Sequence, residues 1–334
     1  MKKGFYLLQV CSRSVSFGGY PIVLTGEIAT MSDTHGSSVV GFASAIPENY
    51  FRDWIARRFF RVKSDRNGRV FRAPYGLAKV EAALLAHGYT RNDVIIADPY
   101  KLDKVIGPNT RIIGIYAMDP LGGLSYGSGI LYWILKLADL PYRGLPYIAK
   151  SFFQVINHPA IKKHRNHVKI VVGGPPAGWQ IIDTGKQGEL GIDIVYEGEF
   201  EEDGPQLFDK LMKGEFVPNR VVAHRPVPVD MVPTIVTPPS IGGMVEVTRG
   251  GCGRGGCQFC TPTLSGMIRS FPFEGHIDKE IKLNIEVGGF KEITLHSEEF
   301  FRYGAKGIEP NPDKVLDLTK KAYKLVKPTE MIMK

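Results

Sequence analysis

Cys252, Cys257 and Cys260 stand close together in the segment Arg249-Gly250-Gly251-Cys252-Gly253-Arg254-Gly255-Gly256-Cys257-Gln258-Phe259-Cys260, directly after a stretch that reads as a strand. Thiolates are soft ligands suited to iron-sulfur clusters or to zinc. The interspersed glycines let a short loop curl around a bulky cluster while its amides hydrogen-bond to sulfur. A structural zinc site wants four ligands, usually as two separated pairs. No fourth cysteine lies nearby, since the remaining one is Cys11. A zinc site therefore needs His276 to complete the tetrahedron, and that alternative stays open. On a four-iron cluster, three cysteine ligands leave one iron free of protein, and chemistry takes place at that open position.

Such a loop needs a scaffold, and 334 residues with 43% hydrophobic and 10% aromatic content are enough for one. The length suggests about two globular domains. The longest apolar runs, Val94-Ile95-Ile96-Ala97 and Ile130 to Leu135, fall far short of the roughly 20 residues that span a bilayer, so no transmembrane helix is expected. Met1-Lys2-Lys3 and the run Gly4 to Val10 imitate a signal peptide. Gln9 interrupts that run and no small-residue cleavage site follows, so the expected location is the cytoplasm. Four cysteines, three of them clustered, are too few for a disulfide framework and favour metal chemistry in a reducing compartment. A net charge of +8 permits attraction to nucleic acid, anionic lipid or another acidic partner without selecting among them.

From about Tyr20 to Phe216, short β-branched runs alternate with glycine-rich turns and helical patterns, as a βαβ succession around a parallel sheet does. The spacing predicts strands at Pro21 to Thr25, Val94 to Ala97, Arg111 to Ala117, Val168 to Val172 and Ile192 to Tyr196. A helix with Leu77, Val80 and Leu84 on one face begins near Pro74 and stops at Gly88. Further helices are expected at Ile130 to Leu137, Ile148 to Ile156 and Pro205 to Met212. The later strands run into Asp98-Pro99, Asp119-Pro120-Leu121-Gly122-Gly123, Gly173-Gly174-Pro175-Pro176 and Glu197-Gly198-Glu199. Open parallel sheets bind ligands at that carboxyl edge, where glycines let the backbone approach closely. Any one of these loops also serves simply to turn the chain.

Six prolines between Pro218 and Pro239 favour an extended connection and place a boundary there. Beyond it the pattern reads as a strand from Met244 to Thr248, the cysteine loop, a helix near Ile277 to Val287, a strand from Glu292 to His296 and a helix near Asp313 to Leu325. The expected organisation is an extension at 1–19, an α/β domain at 20–216, a proline-rich linker at 217–243 and a second domain at 244–334. Between Arg52 and Arg72, eight basic residues interleave with Trp54, Phe59, Phe60 and Phe71. That composition suits a nucleic-acid surface, and it suits an amphipathic helix and hairpin with a solvated basic face, which is the commoner case.

The cysteine segment resembles the cluster-binding loop of the radical S-adenosylmethionine superfamily, including an aromatic, Phe259, immediately before the last cysteine. It departs in spacing: Cys252 and Cys257 enclose four residues where the family most often has three. The resemblance implies a 4Fe-4S cluster on Cys252, Cys257 and Cys260, with S-adenosylmethionine chelated at the open iron. It also implies an electron donor and a 5'-deoxyadenosyl radical that abstracts hydrogen from substrate. A second barrel strand in the family ends in a small, often acidic motif near the methionyl amine, and His296-Ser297-Glu298-Glu299 resembles it by position. A helix cap with an acidic first turn reads the same way.

The N-terminal half resembles the cobalamin-binding domain of one branch of that superfamily. The likeness rests on Val23-Leu24-Thr25 with Met31-Ser32-Asp33, Ala73-Pro74-Tyr75-Gly76-Leu77, Asp119-Pro120-Leu121-Gly122, Val171-Val172-Gly173-Gly174-Pro175 and Tyr196-Glu197-Gly198-Glu199. It implies a Rossmann-like doubly wound sheet with the corrin across its carboxyl edge. Asp119, Gly122, Gly173, Gly174, Glu197 and Gly198 are then cofactor-binding residues. Asp33-Thr34-His35 begins like the Asp-x-His-x-x-Gly cobalt-ligand motif, but Ser38 stands where the glycine belongs, so His35 is not assigned. Only about 90 residues follow Met244, the start of a partial (β/α) barrel with a possible third strand at Met331 to Met333. The chain is therefore expected to be a fragment, or to need a second polypeptide to complete the barrel. The expected function is a cobalamin-dependent radical reaction, such as methyl transfer, on an undetermined substrate. The rivals are a non-catalytic zinc- or nucleic-acid-binding module and a split partner subunit.

Overall fold

A computed structural model describes residues 18–33, 44–123, 130–141, 144–251, 266–307 and 309–326. Six strands, β1 (Ile22–Gly26), β2 (Val94–Ile96), β3 (Ile112–Tyr116), β4 (Lys169–Gly173), β5 (Ile194–Glu197) and β6 (Arg220–Val222), form one sheet in the order β2-β1-β3-β4-β5-β6. Every pairing is parallel. Helices α1 (Tyr75–His87), α2 (Ile130–Leu137), α3 (Tyr147–Ile156), α4 (Pro159–His164) and α5 (Asp203–Met212) accompany it.

The strands read as unbroken apolar runs because both faces of the sheet are covered. Val23, Ile113, Ile115 and Val172 pack against Phe152 and Val155 of α3 and Ile161 of α4. Their alternating neighbours Ile22, Leu24, Ile112 and Val171 pack against Leu77 and Leu84 of α1 and Leu207, Phe208 and Leu211 of α5. Gly114 interrupts β3 for a steric reason: a Cβ there would stand 2.8 Å from Leu24 and 3.7 Å from the Phe208 ring. Helix α1 ends as its sequence foretells, with Gly88 at φ 118° and its N–H on the carbonyls of Leu84 and Leu85.

Helix α4 and strand β6 are among the elements that escaped the sequence pattern. Helix α4 is only six residues long, and β6 lies inside the stretch expected to be a linker. As an edge strand, β6 tolerates Pro218 before it and Pro226 and Pro228 after it.

The second unit begins with β7 (Met244–Glu246), which pairs in parallel with β10 (Thr294–His296). The single strand expected from Met244 to Thr248 divides because the chain changes partners at Val247. Its N–H donates to the His296 carbonyl, while its own carbonyl accepts from Phe271. β8 (Thr248–Arg249) then pairs antiparallel with β9 (Arg269–Ser270). Helices α6 (Asp278–Glu286) and α7 (Pro312–Val326) enclose a small core of Val245, Val247, Phe271, Ile281 and Leu318. The suggested third strand at Met331 to Met333 lies outside the described residues.

The basic stretch from Arg52 to Arg72 forms a helical turn (Asp53–Ile55, continuing through Ala56–Phe60) and a narrow hairpin bridged at Ser64 and Val70. Three of its cations are spent on the protein itself: Arg61 on Asp98 at 2.6 Å, Arg69 on Glu81 at 3.3 Å and Arg72 on Asp33 at 2.8 Å. No helix among the described residues is long and apolar enough to cross a membrane.

Candidate cofactor site

The carboxyl ends of β3, β4 and β5 open onto a cavity of about 630 Å³, which the second unit closes from the other side. That volume lies within the range of about 300–1,000 Å³ usual for small-molecule sites. Tyr116, Gly173, Gly174, Glu197 and Gly198 contribute from the sheet, and Gly76, Leu77 and Lys79 from α1. Glu246, Thr248, Arg249, His296 and Glu298 contribute from β7, β8 and β10.

The glycines have different reasons to be there. At Gly174, with φ 131°, a Cβ would stand 1.9 Å from the Ala117 carbonyl oxygen. At Gly198, with φ 103°, it would stand 2.6 Å from Ala223. Packing and backbone angle require both. Gly173 carries no such demand: its φ is ordinary, and a Cβ would meet only the Tyr196 carbonyl at 3.6 Å. A side chain there would occupy the cavity instead, so the bare position leaves that space open.

Six of the residues singled out by sequence, Gly173, Gly174, Glu197, Gly198, His296 and Glu298, therefore line one space. Ser297 stands just behind it, its hydroxyl hydrogen-bonded to that of Thr248 and accepting from the Glu299 N–H at 3.1 Å. It holds the turn after β10; the short helix that follows, Phe300–Arg302, begins at Glu299 without a side-chain cap and has no acidic first turn, so a helix cap does not describe this segment. Asp119 and Gly122 are not brought to the cavity. Asp119 is buried, its Oδ1 accepting from Gln180 at 2.6 Å and its N–H donating to Glu27 at 3.0 Å. Burial pushes the Glu27 carboxyl up to about 8 even though it accepts from the Met118 and Asp119 amides. This network braces the 119–123 loop from within.

Cys252, Cys257, Cys260 and Phe259 lie outside the described residues. The ends of their loop are described, and both Gly250 and Gly251 line the cavity. Gly251 donates to the Gly266 carbonyl at 2.7 Å and forms a bridge with Met267, so the loop leaves and returns through one narrow neck at the cavity wall. Among the described residues no cluster of three or more potential ligands is poised for a metal.

His276, the proposed fourth ligand for zinc, is engaged elsewhere. It is buried, stacks on Phe271 at 4.4 Å and presents Nε2 to the Lys79 ammonium at 3.0 Å. Because an ammonium only donates, Nε2 accepts and the ring proton sits on Nδ1. Burial, then the positive charge of Lys79, lowers its pKa to about 3. Lys79 also donates to Glu280 at 2.7 Å and to the Pro233 carbonyl at 3.0 Å, while Tyr75 donates to the other oxygen of Glu280 at 2.8 Å. Sequence reasoning missed this buried bracket between α1 and α6, and with it Glu201, Glu246 and Arg249 as wall residues. A lysine and a glutamate 201 positions apart carry no local sign of their pairing.

The architecture is that of an α/β protein in which a Rossmann-like, doubly wound parallel sheet of six strands precedes a smaller α/β unit. Among solved structures it is similar to the radical S-adenosylmethionine methyltransferase TsrM from Kitasatospora setae. With tryptophan substrate and a SAM analog (aza-SAM) bound, that enzyme matches at a TM-score of 0.52 and 13% identity, over 92% of this chain and 52% of its own. A structure of the same enzyme with cobalamin and a [4Fe-4S] cluster bound matches at 0.49 and 12% identity, with the same coverage. The chain thus spans about half the length of the structures it matches. No protein-family model matches it, and no curated protein does.

Proposed function

We propose that this chain belongs to a cobalamin-type radical S-adenosylmethionine enzyme, with a corrin-binding domain at 20–216, a connection at 217–243 and a cluster-binding domain at 244–334. The observation that carries the reading is the shared cavity, where the carboxyl edge of the sheet faces the neck of the three-cysteine loop. The fold likeness to a radical methyltransferase supports it. In this reading Cys252, Cys257 and Cys260 would hold a 4Fe-4S cluster, with Phe259 in the same loop. Bound there, the cluster supplies an electron to S-adenosylmethionine, and the corrin supplies a cobalt centre for methyl transfer.

The chain's own residues do the rest. Gly173 leaves room at the sheet edge, and Gly174 and Gly198 give the loops their shape. Glu197 stands at that edge with its carboxylate on Arg220 at 2.6 Å. Asp119 and Gly122 belong to the internally braced loop after β3 and do not line this wall. Glu298 offers a carboxylate to the methionyl ammonium, with His296 beside it and Ser297 fixing the turn. An electron donor is required, and a reducing cytoplasm suits the thiolates. The nucleic-acid alternative loses support because the basic stretch spends Arg61, Arg69 and Arg72 on internal carboxylates.

Anaerobic reconstitution with iron and sulfide tests the reading. Roughly four irons per chain and a brown absorbance in the wild type, both lost in Cys257→Ala, are expected for three-cysteine ligation. One zinc per chain without colour in the wild type would sink it and favour the zinc module.

A further inference from the structure

We propose that Glu199 and Glu201, on the loop after β5, are positioning residues that orient the cysteine loop from across the cavity. The inference rests on the reading that this loop carries the cluster. It concerns which residues of the other unit hold it.

Arg249 and Arg269 are register partners on β8 and β9, so they stand opposite each other at the base of the loop between them. The neck above them is tight. Gly250 has φ 107°, and a Cβ there would lie 2.4 Å from the Met267 carbonyl. Both arginines reach out of their own unit to the same short acidic segment. Arg249 donates through Nη1 to Glu201 at 2.7 Å and stands 3.8 Å from Glu199. Arg269 donates to Oε1 of Glu199, whose Oε2 accepts the Val227 N–H at 2.8 Å. Glu246 completes the guanidinium of Arg249 at 2.8 and 3.0 Å.

These groups are shielded from water. The side chains of Glu201, Glu199 and Arg249 are 3%, 5% and 12% exposed. In such surroundings charge-assisted, multiply bonded pairs are short and directional, and removing one partner leaves the other charge uncompensated. Burial works against the charge of Arg249, but Glu201 and Glu246 outweigh it and keep the guanidinium above its ordinary range. The backbone ties at the neck are the two-residue ladder of β8 and β9 flanked by the Gly251–Gly266 and Phe271–Val247 bonds, all within the second unit, so the buried ion pairs are what aim the neck relative to the first. Cys252 follows Arg249 by three residues, so the direction of the neck sets where the first thiolate begins.

The test compares wild type with Glu199→Gln/Glu201→Gln and the milder Glu201→Gln, with Glu189→Gln as a control that breaks an exposed pair to Lys186. Two quantities are read: amide exchange of neck peptides covering 245–249 and 267–271 before reconstitution, and iron release to a chelator afterwards. Both are expected to rise about tenfold or more in the double variant, the scale of one buried charged hydrogen bond. Peptides from β1 and β3 should exchange as in wild type, which shows that the sheet is folded. Neck exchange and iron release equal to wild type would overturn the inference while leaving the proposed function standing. A wild type that takes up no iron would overturn the proposed function, and neck exchange would then decide the positioning role by itself.

Discussion

The two α/β units of this chain are built from the same kind of element but held together differently. In the first, β1 is buried along its whole length and the sheet carries an apolar layer on each face. In the second, β10 is half exposed, the parallel sheet has two strands, and the core is a single small cluster. The first unit is stabilised by area removed from water. The second leans on directional polar contacts to the first: Lys79 to Glu280, Arg72 to the Gly288 carbonyl at 2.5 Å, and Arg249 and Arg269 to the loop after β5. The cavity bounded by both units thus has one wall backed by apolar layers and one wall held by charges.

The sharpest way to break that contrast is Lys79→Met. It leaves Glu280, whose side chain is 1% exposed, without its cation. Loss of one partner from a buried pair costs about 3–5 kcal/mol. The cost should fall on the second unit, so calorimetry is expected to show its transition separating below that of the sheet. A single transition at the wild-type temperature would mean that the bracket contributes no stability.

Acidity provides a milder probe with opposite signs in the two units. His276 has its folded pKa depressed from 6.5 to about 3, so its contribution is present above about 6.5 and is lost as pH falls towards 3. Within that window the slope is up to about 1.4 kcal/mol per pH unit. Glu27 and Glu81 have folded values raised from 4.5 to about 8 and about 7 by burial. Their contributions are complete below about 4.5 and are lost as pH rises through those values. Denaturant titrations read at neck and sheet peptides should therefore show the α1–α6 bracket loosening at pH 4 while the sheet holds. His276→Gln should flatten the acid limb, and an unchanged limb would assign it to another group.

The same contrast explains what was legible in the sequence. Strands buried on both faces announce themselves as apolar runs, and β1 to β5 lie within about two residues of their expected positions. The Pro74 and Gly88 signals bound α1 for reasons internal to the helix. Likewise Gly173 and Glu197 line the cavity because loops at strand ends face a common edge in any parallel sheet, and Glu298, placed by the resemblance, lines it from the second unit. Arg249, Glu201 and Lys79 were missed as wall residues because the partners that join them across the units lie 48 and 201 positions away and only the packed units bring them together. β6 was hidden by its flanking prolines, and Asp119 was misplaced because Gln180, 61 residues on, turns it inward.

The smallest expected effect on stability belongs to Gly173→Val, and it separates ligand binding from folding most cleanly. The backbone there is extended, and the nearest protein atom to the new Cβ is the Tyr196 carbonyl at 3.6 Å. Valine suits a strand end and restrains the unfolded chain more than glycine does, so stability should hold or rise by about 0.5 kcal/mol. The two added methyl groups would instead fill the cavity where the sheet edge opens. Binding of hydroxocobalamin, followed by absorbance in equilibrium dialysis, should weaken about tenfold or more while the melting temperature is unchanged. Undiminished binding by a normally folded variant would show that the corrin does not use this edge, and would confine the cavity to the ligand of the cysteine loop.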